Sequence, residues 1–381
     1  MKKINSAFIS VFNKENLESL VSLLIKLNIK LYSSGGTKIA LEKLGCKVTS
    51  VEDITQYPSI LGGRVKTLHP KVFGGILNRR DKKSDLEDVE KYDLPSFDLV
   101  VVDLYPFEDT VKNNANEEEI IEKIDIGGIS LIRAAAKNYK DVMIIPSKEL
   151  IPNCTSIIEK NNGYTSLEER LFFAKKAFEL SSHYDTNIFS WLSTDSDESL
   201  KISISESQIL RYGENPHQKG IYYGKLTEVF KKLNGKEISY NNLLDIDAAI
   251  NLIKDCKEPT FAILKHNNAC GIAIDNNVYE AWKKALAGDP ISAFGGILVT
   301  NQELNSKAAE SINELFFEII ISPNFSTKAI EILKNKKNRI ILELNPKNLK
   351  NNHQYRSILN GILAQERDIL IDSEENLEKI T

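Results

Sequence analysis

Ile29-Lys30-Leu31-Tyr32-Ser33-Ser34-Gly35-Gly36-Thr37 runs from a strand-like apolar pattern into a small, glycine-containing turn, and Lys38 to Leu44 follows with helical spacing. Upstream, Ala7 to Phe12 reads as a strand, and Lys14 to Leu27 carries Leu and Ile at helical intervals. The order strand, helix, strand, helix predicts a parallel sheet with helices on its faces, where binding sites gather at the carboxyl ends of strands. Downstream, Leu99-Val100-Val101-Val102, within Phe97 to Leu104, has the pattern of a strand buried on both faces and ends in Asp103, Tyr105 and Pro106. Ser166-Leu167-Glu168-Glu169 is a capping-box pattern that opens a helix through Ala174, Ala177 and Leu180. The small polar run Ser193-Thr194-Asp195-Ser196-Asp197 marks a boundary near residue 198, so two domains are expected, 1–197 and 198–381.

Composition narrows the function classes. With 381 residues, 42% hydrophobic, the chain can bury two cores. A net charge of -4, with lysines alternating with acidic residues, offers no polyanion-binding face, and nucleic acid is not an expected partner. No apolar run approaches the roughly 18 residues of a membrane span, and the start reads as a strand, so a soluble, cytoplasmic protein is expected. The four cysteines form no Cys-x-x-Cys pair, which predicts free thiols and no metal.

The Gly35-Gly36 turn suits a phosphate, because glycine lets backbone N–H groups approach an oxyanion and a helix start adds positive dipole. Alone, such a turn is more often a plain connection, since glycine is the default residue for tight turns. Gly62-Gly63-Arg64-Val65-Lys66-Thr67-Leu68-His69-Pro70-Lys71-Val72-Phe73-Gly74-Gly75-Ile76-Leu77 is more specific, since a solvated charged face has no need of its four glycines. Ile124-Asp125-Ile126-Gly127-Gly128 then leads into a small-residue helix with Arg133 and Lys137 on one face.

These segments, with Asp103-Leu104-Tyr105-Pro106-Phe107 between them, resemble the IMP cyclohydrolase half of the AICAR formyltransferase/IMP cyclohydrolase family. The resemblance implies an α/β chain with an N-terminal methylglyoxal-synthase-like parallel-sheet domain. It places the substrate phosphate against Ser10, Lys14, Ser34, Gly35, Gly36, Thr37, Arg64 and Thr67, and the chemistry at Lys66, Tyr105, Asp125 and Lys137. The substrate would be the formylated aminoimidazole carboxamide ribonucleotide. Its carboxamide nitrogen attacks the formyl carbon, so Lys66, Lys137 and the backbone N–H groups of Gly127 and Gly128 are candidate donors to the oxygen that becomes anionic. Asp125 can take the amide proton, orient Lys137, or simply cap a helix, and Tyr105 can relay a proton. Asp103 stands where the family is expected to prefer Asn, and Tyr139 where His often follows Lys-Asn.

Beyond residue 198, Leu210-Arg211-Tyr212-Gly213-Glu214-Asn215-Pro216-His217-Gln218, Ser239-Tyr240-Asn241-Asn242 and Leu264-Lys265-His266-Asn267-Asn268-Ala269-Cys270-Gly271 resemble the formyltransferase half, a cytidine-deaminase-like α/β domain. The resemblance implies 10-formyltetrahydrofolate as co-substrate, His266 as base with Lys265 beside it, and Arg211, Tyr212 and Asn242 holding the aminoimidazole nucleotide. It also implies a homodimer. The family would continue well past Thr381, which predicts a partial, incomplete transformylase domain, absent in its remainder or completed by another polypeptide. His266 and Cys270 invite a zinc deaminase, but neither a His-x-Glu nor a Pro-Cys-x-x-Cys element accompanies them. A nucleotide-sensing module without catalysis is the competing reading for the first half, and a dimerisation platform for the second.

Overall fold

Ala7, Phe8 and Ile9 are fully buried in strand β1 (Ser6–Ser10), the centre of a five-stranded sheet. A strand covered on both faces has no place for alternating polar residues. β1 lies between β2 (Lys30–Ser33) and β4 (Leu99–Val102), with β3 (Val48–Ser50) outside β2 and β5 (Met143–Ile145) outside β4. Every pairing is parallel. This is the sheet that the alternation of strand and helix predicted. The computed structural model describes residues 1–194, 199–345 and 353–368. The expected boundary near residue 198, with Asp195, Ser196 and Asp197, lies outside the described residues.

Helix α1 (Leu17–Lys26) buries Leu17, Leu20, Val21 and Leu24, the stripe its spacing predicts. It begins three residues later than the pattern from Lys14, because Asn16 takes a left-handed conformation at its start. Helix α2 (Gly35–Lys43) begins earlier than Lys38, so Gly35, Gly36 and Thr37 form its first turn and do not precede it. Helix α3 (Pro70–Leu77) is capped by His69, whose Nδ1 accepts the Lys71 N–H at 3.2 Å. A Cβ on Gly75 would stand 2.6 Å from the Pro95 carbonyl oxygen, and one on Gly74 2.9 Å from Leu94. Those two glycines therefore serve helix packing and not a ligand. Helix α4 (Gly127–Lys137) packs Ala134, Ala135 and Ala136 inward. Helix α5 (Leu167–Leu192) carries the predicted capping box, with Ser166 Oγ accepting the Glu169 N–H at 3.1 Å and Glu169 Oε2 accepting the Ser166 N–H at 2.7 Å.

The chain divides into two units, Met1–Ser205 and Glu206–Thr381. The second holds a six-stranded mixed sheet built from β6 (Phe230–Asn234), β7 (Thr260–Lys265), β8 (Asn268–Ile274), β9 (Ile297–Thr300), β10 (Ile319–Ser322) and β11 (Ile340–Leu344). Their order is β6-β11-β10-β9-β7-β8, parallel from β9 to β11 and antiparallel elsewhere. Phe261, Ile263 and Trp282 pack on one face, while Ala262 and Leu264 meet Ile246 and Ile250 of helix α6 (Tyr240–Ile253) on the other. Among the described residues no helix is long and apolar enough to cross a membrane, and the four cysteines are free.

Candidate active site

A cleft of about 680 Å³ opens at the carboxyl ends of β1, β2 and β4, where Ser10, Ser34 and Asp103 emerge. Ser34 is the N-cap residue of α2, yet its hydroxyl makes no capping bond. It is 2% exposed, and its Oγ has no partner among the described residues. Gly35 adopts φ 49°, and a Cβ there would stand 3.1 Å from Lys66 Nζ, so glycine lets that ammonium lie over the first turn of α2. Thr37 ties the same turn to β1, its Oγ1 accepting the Val11 N–H at 3.1 Å and donating to the Val11 carbonyl at 2.9 Å. Lys14 Nζ donates to the carbonyls of Val11 and Phe12. Burial lowers its pKa, Asp103 opposes this, and Lys66 adds to it. Arg64 lines the cleft from an exposed ion pair with Glu122.

Asp125 stands at the start of α4. Its Oδ1 accepts the Gly128 N–H at 2.6 Å, so the helix-capping role is realised and this N–H is already spoken for. Gly127 and Gly128 are required by space: a Cβ on Gly127 would lie 3.0 Å from Thr67 Oγ1, and one on Gly128 2.5 Å from Asp125 Oδ2. Burial raises the Asp125 pKa and Asp103 raises it further, against the bond from Gly128. The Tyr105 phenol is pushed up by burial and then by Asp125 and Asp103. Asp103 uses both carboxylate oxygens, accepting the N–H groups of Phe12 and, at 2.9 Å, Asn13. Burial raises its own pKa as well.

Several residues of this site carry no motif. Tyr184, from the middle of α5, accepts the Asp125 N–H at 2.8 Å and donates to the Lys123 carbonyl at 2.5 Å, clamping the loop that holds Asp125. Burial pushes its phenol up to about 12. Lys123 Nζ lies 5.8 Å from the Phe12 ring centroid and 5.7 Å from that of Tyr105, and these two rings meet edge to face. Only the chain's path brings positions 12, 105, 123 and 184 together. Ser10, Gly36, Thr67 and Gly127 also line the cleft. Lys137 does not. It is the exposed last residue of α4, and at 1.5 Å per residue the helix carries it about 15 Å from Gly127. Arg133, on the same face, instead donates to Ser181 Oγ and lies over Phe178.

In the second unit, a cleft of about 440 Å³ is lined by Tyr212, Asn242, Lys265, His266 and Glu318 among others. His266 and Asn267 form a two-residue hairpin turn between β7 and β8, with φ 52° and 65°, the signature of a type I′ turn. Asp245 fixes it by accepting the Asn267 N–H at 2.7 Å, and Lys265 Nζ donates to the Phe294 carbonyl at 3.0 Å. Next to the turn, the register shifts between Ile263 and Leu264, a bulge in the β7–β8 pair. Asn242 is committed to structure: its Oδ1 accepts the Ser239 N–H in a capping box, and its Nδ2 donates to Glu318 at 3.4 Å. Arg211 lies over the Tyr212 ring and is not among the lining residues. Among the described residues no group of three or more His, Cys, Asp or Glu could hold a metal.

The sequence model of the AICARFT/IMPCHase bienzyme family matches residues 135–381, and that of the MGS-like domain matches residues 16–130. The chain belongs to the AICARFT/IMPCHase bienzyme family. A relative in Bacteroides thetaiotaomicron, the bifunctional purine biosynthesis protein PurH, is 52% identical over 380 residues, covering 100% of this chain and 75% of the relative. The protein of that name in Thermoanaerobacter sp. is 40% identical over 387 residues, again covering 75% of the relative. In Petrotoga mobilis it is 40% identical over 380 residues, covering 96% of this chain and 74% of the relative. Family membership makes the fold an MGS-like domain followed by an AICARFT/IMPCHase domain and places the chain in purine biosynthesis. The family pairs a transferase that uses 10-formyltetrahydrofolate with a cyclohydrolase.

Proposed function

We propose that Met1–Ser205 closes the second ring of inosine monophosphate from the formylated aminoimidazole carboxamide ribonucleotide. The observation that carries this reading is the buried Ser34 hydroxyl at the start of α2, without a partner among the described residues, in a cleft that also gathers Lys14, Lys66 and Thr67 and faces Asp125. A phosphate monoester supplies the missing partner and sits on the positive end of α2. Ser10, Gly35, Gly36 and Thr37 complete the cradle, and Arg64 exchanges Glu122 for the phosphate.

Ring closure forms a bond between the carboxamide nitrogen and the formyl carbon. The carboxamide nitrogen gives up one proton and the formamide nitrogen another, the formyl oxygen takes up two, and the C–O bond breaks to release water as the ring C=N bond forms. Holding the two groups of one molecule in contact supplies much of the acceleration. Asp125, a stronger base than an ordinary carboxylate because of its raised pKa, takes the amide proton. Tyr105, held neutral, delivers a proton to the departing oxygen. Lys66 and the Gly127 N–H stabilise the charge on that oxygen, and a donor of this kind is typically worth about 10²- to 10³-fold in rate. Lys137 has no part in this scheme.

The test is the absorbance of the purine ring as purified chain turns over the formylated ribonucleotide. Turnover that falls at least tenfold in Lys66→Ala supports the cyclohydrolase. Tight binding without turnover by folded protein overturns it and favours a nucleotide-sensing module.

The same family reading makes the cleft around His266 and Lys265 the seat of formyl transfer from 10-formyltetrahydrofolate to the aminoimidazole amine, with His266 as base and Tyr212 against the nucleotide. Assay with the folate donor decides whether this chain performs that step alone. A cytosolic homodimer belongs to this reading, and sedimentation tests the dimer.

A further inference from the structure

Arg339, just before β11, is 5% exposed and lines a cavity of about 460 Å³ with Lys236, Lys336, Lys337, Glu314 and Phe316. Its Nη1 donates to Asn313 Oδ1 at 2.8 Å and to the Leu333 carbonyl at 3.2 Å, and the guanidinium lies 4.2 Å from the Phe317 ring centroid. Its Nε is buried without a partner among the described residues. Burial lowers the pKa of the guanidinium, and no carboxylate is among the influences on it. A cation taken out of water is strongly unfavourable unless something replaces its hydration and balances its charge.

The surroundings are built to hold this arrangement. Asn234 Nδ2 donates to the Arg339 carbonyl at 2.8 Å and reaches the carbonyls of Lys336 and Lys337 at 3.4 and 3.5 Å, pinning the turn that presents both lysines. Gly235, at φ 107°, lies so close that a Cβ would stand 2.4 Å from the Arg339 carbonyl oxygen. Lys236 is paired with Glu318 at 3.1 Å, whereas Lys336 and Lys337 carry no ion pair among the described residues. The lining carries the cations Arg339, Lys236, Lys336 and Lys337 against the carboxylates Glu314 and Glu318, an excess of positive charge that favours an anion.

We infer that this cavity binds a small oxyanion ligand, a phosphate ester or a carboxylate, seated on Arg339 and closed in by Lys336 and Lys337. The guanidinium fork matches either group, and the volume suits a small molecule.

The test follows the Arg339 Nε–Hε resonance of the full chain by ¹⁵N NMR during titration with inorganic phosphate and, separately, with succinate. The expected result is a saturable shift with at least one anion, weakened fivefold or more by Lys336→Ala combined with Lys337→Ala, two exposed positions whose change leaves the core intact. A shift with phosphate alone assigns the ligand as a phosphate ester, and one with succinate alone as a carboxylate. The double variant leaves the first unit unaltered, so a shift lost in it belongs to this cavity and not to phosphate held in the cleft of the first unit. An Arg339 resonance unmoved by either anion, or one that moves identically in the double variant, overturns the proposal.

Discussion

Thr67 Oγ1 lies 3.0 Å from the point where a Cβ on Gly127 would stand. The Gly127→Ala methyl would push Thr67 from the cleft wall, while Gly127, the first residue of α4, has no left-handed φ and its backbone accepts alanine. The expected outcome is a loss of at least tenfold in kcat/KM, about 1.4 kcal/mol of transition-state stabilisation, with an unchanged or raised Tm. Steady-state kinetics beside a thermal melt checks both.

Ser34 sets stability against binding. Its hydroxyl is buried, has no partner among the described residues and contributes no cap, so Ser34→Ala should leave stability unchanged or raise it by about 1 kcal/mol. A hydrogen bond to a charged group is worth about 1.5–3 kcal/mol, so KM for the nucleotide should rise tenfold or more. A destabilised variant with unaltered KM would return Ser34 to a purely structural role.

Asp103→Asn tests the charge beside the base. Asp103 raises the pKa of Asp125, so its neutralisation should bring that pKa down. A base is active when deprotonated, so the acid limb of the pH–rate profile should move to lower pH. Because Asp103 also raises the Tyr105 pKa, the basic limb should move down with it. Asn can accept only one of the two N–H bonds from Phe12 and Asn13, and kcat/KM should fall at every pH.

The turn at His266 should distinguish backbone from chemistry. Asn tolerates left-handed φ and a β-branched residue does not. His266→Asn should therefore keep the Tm, while His266→Val should destabilise the second unit by about 1–3 kcal/mol. Denaturant melts of the two variants make the comparison.

Legibility in the sequence followed the range of the interactions. The capping box at Ser166 and Glu169 spans three residues, and the strand Leu99–Val102 is a contiguous apolar run, so both were readable. The cradle at Ser34 to Thr37 was readable as a motif, although its helix starts three residues before the apparent pattern. Gly74 and Gly75 stood in the sequence only as part of a glycine-rich motif, and their close approach to Leu94 and Pro95 is a tertiary fact. Lys137 shows another limit: a motif records that a residue is present but not that it stands at the far end of its helix, six positions beyond Leu131, which still lines the cleft.

The sequence by itself determined the parallel sheet, the glycine turns and the family, because periodicity, turn chemistry and motif order are local properties of the chain. Only the tertiary structure decided that Tyr184 clamps the Asp125 loop, that Asp103 holds the Phe12 and Asn13 amides, and that Ser34 and Arg339 are buried with polar atoms unmet among the described residues. Such relationships join residues up to 91 positions apart. Burial, which sets whether a hydroxyl or a guanidinium lacks a partner, depends on everything packed around it, and no local pattern encodes it.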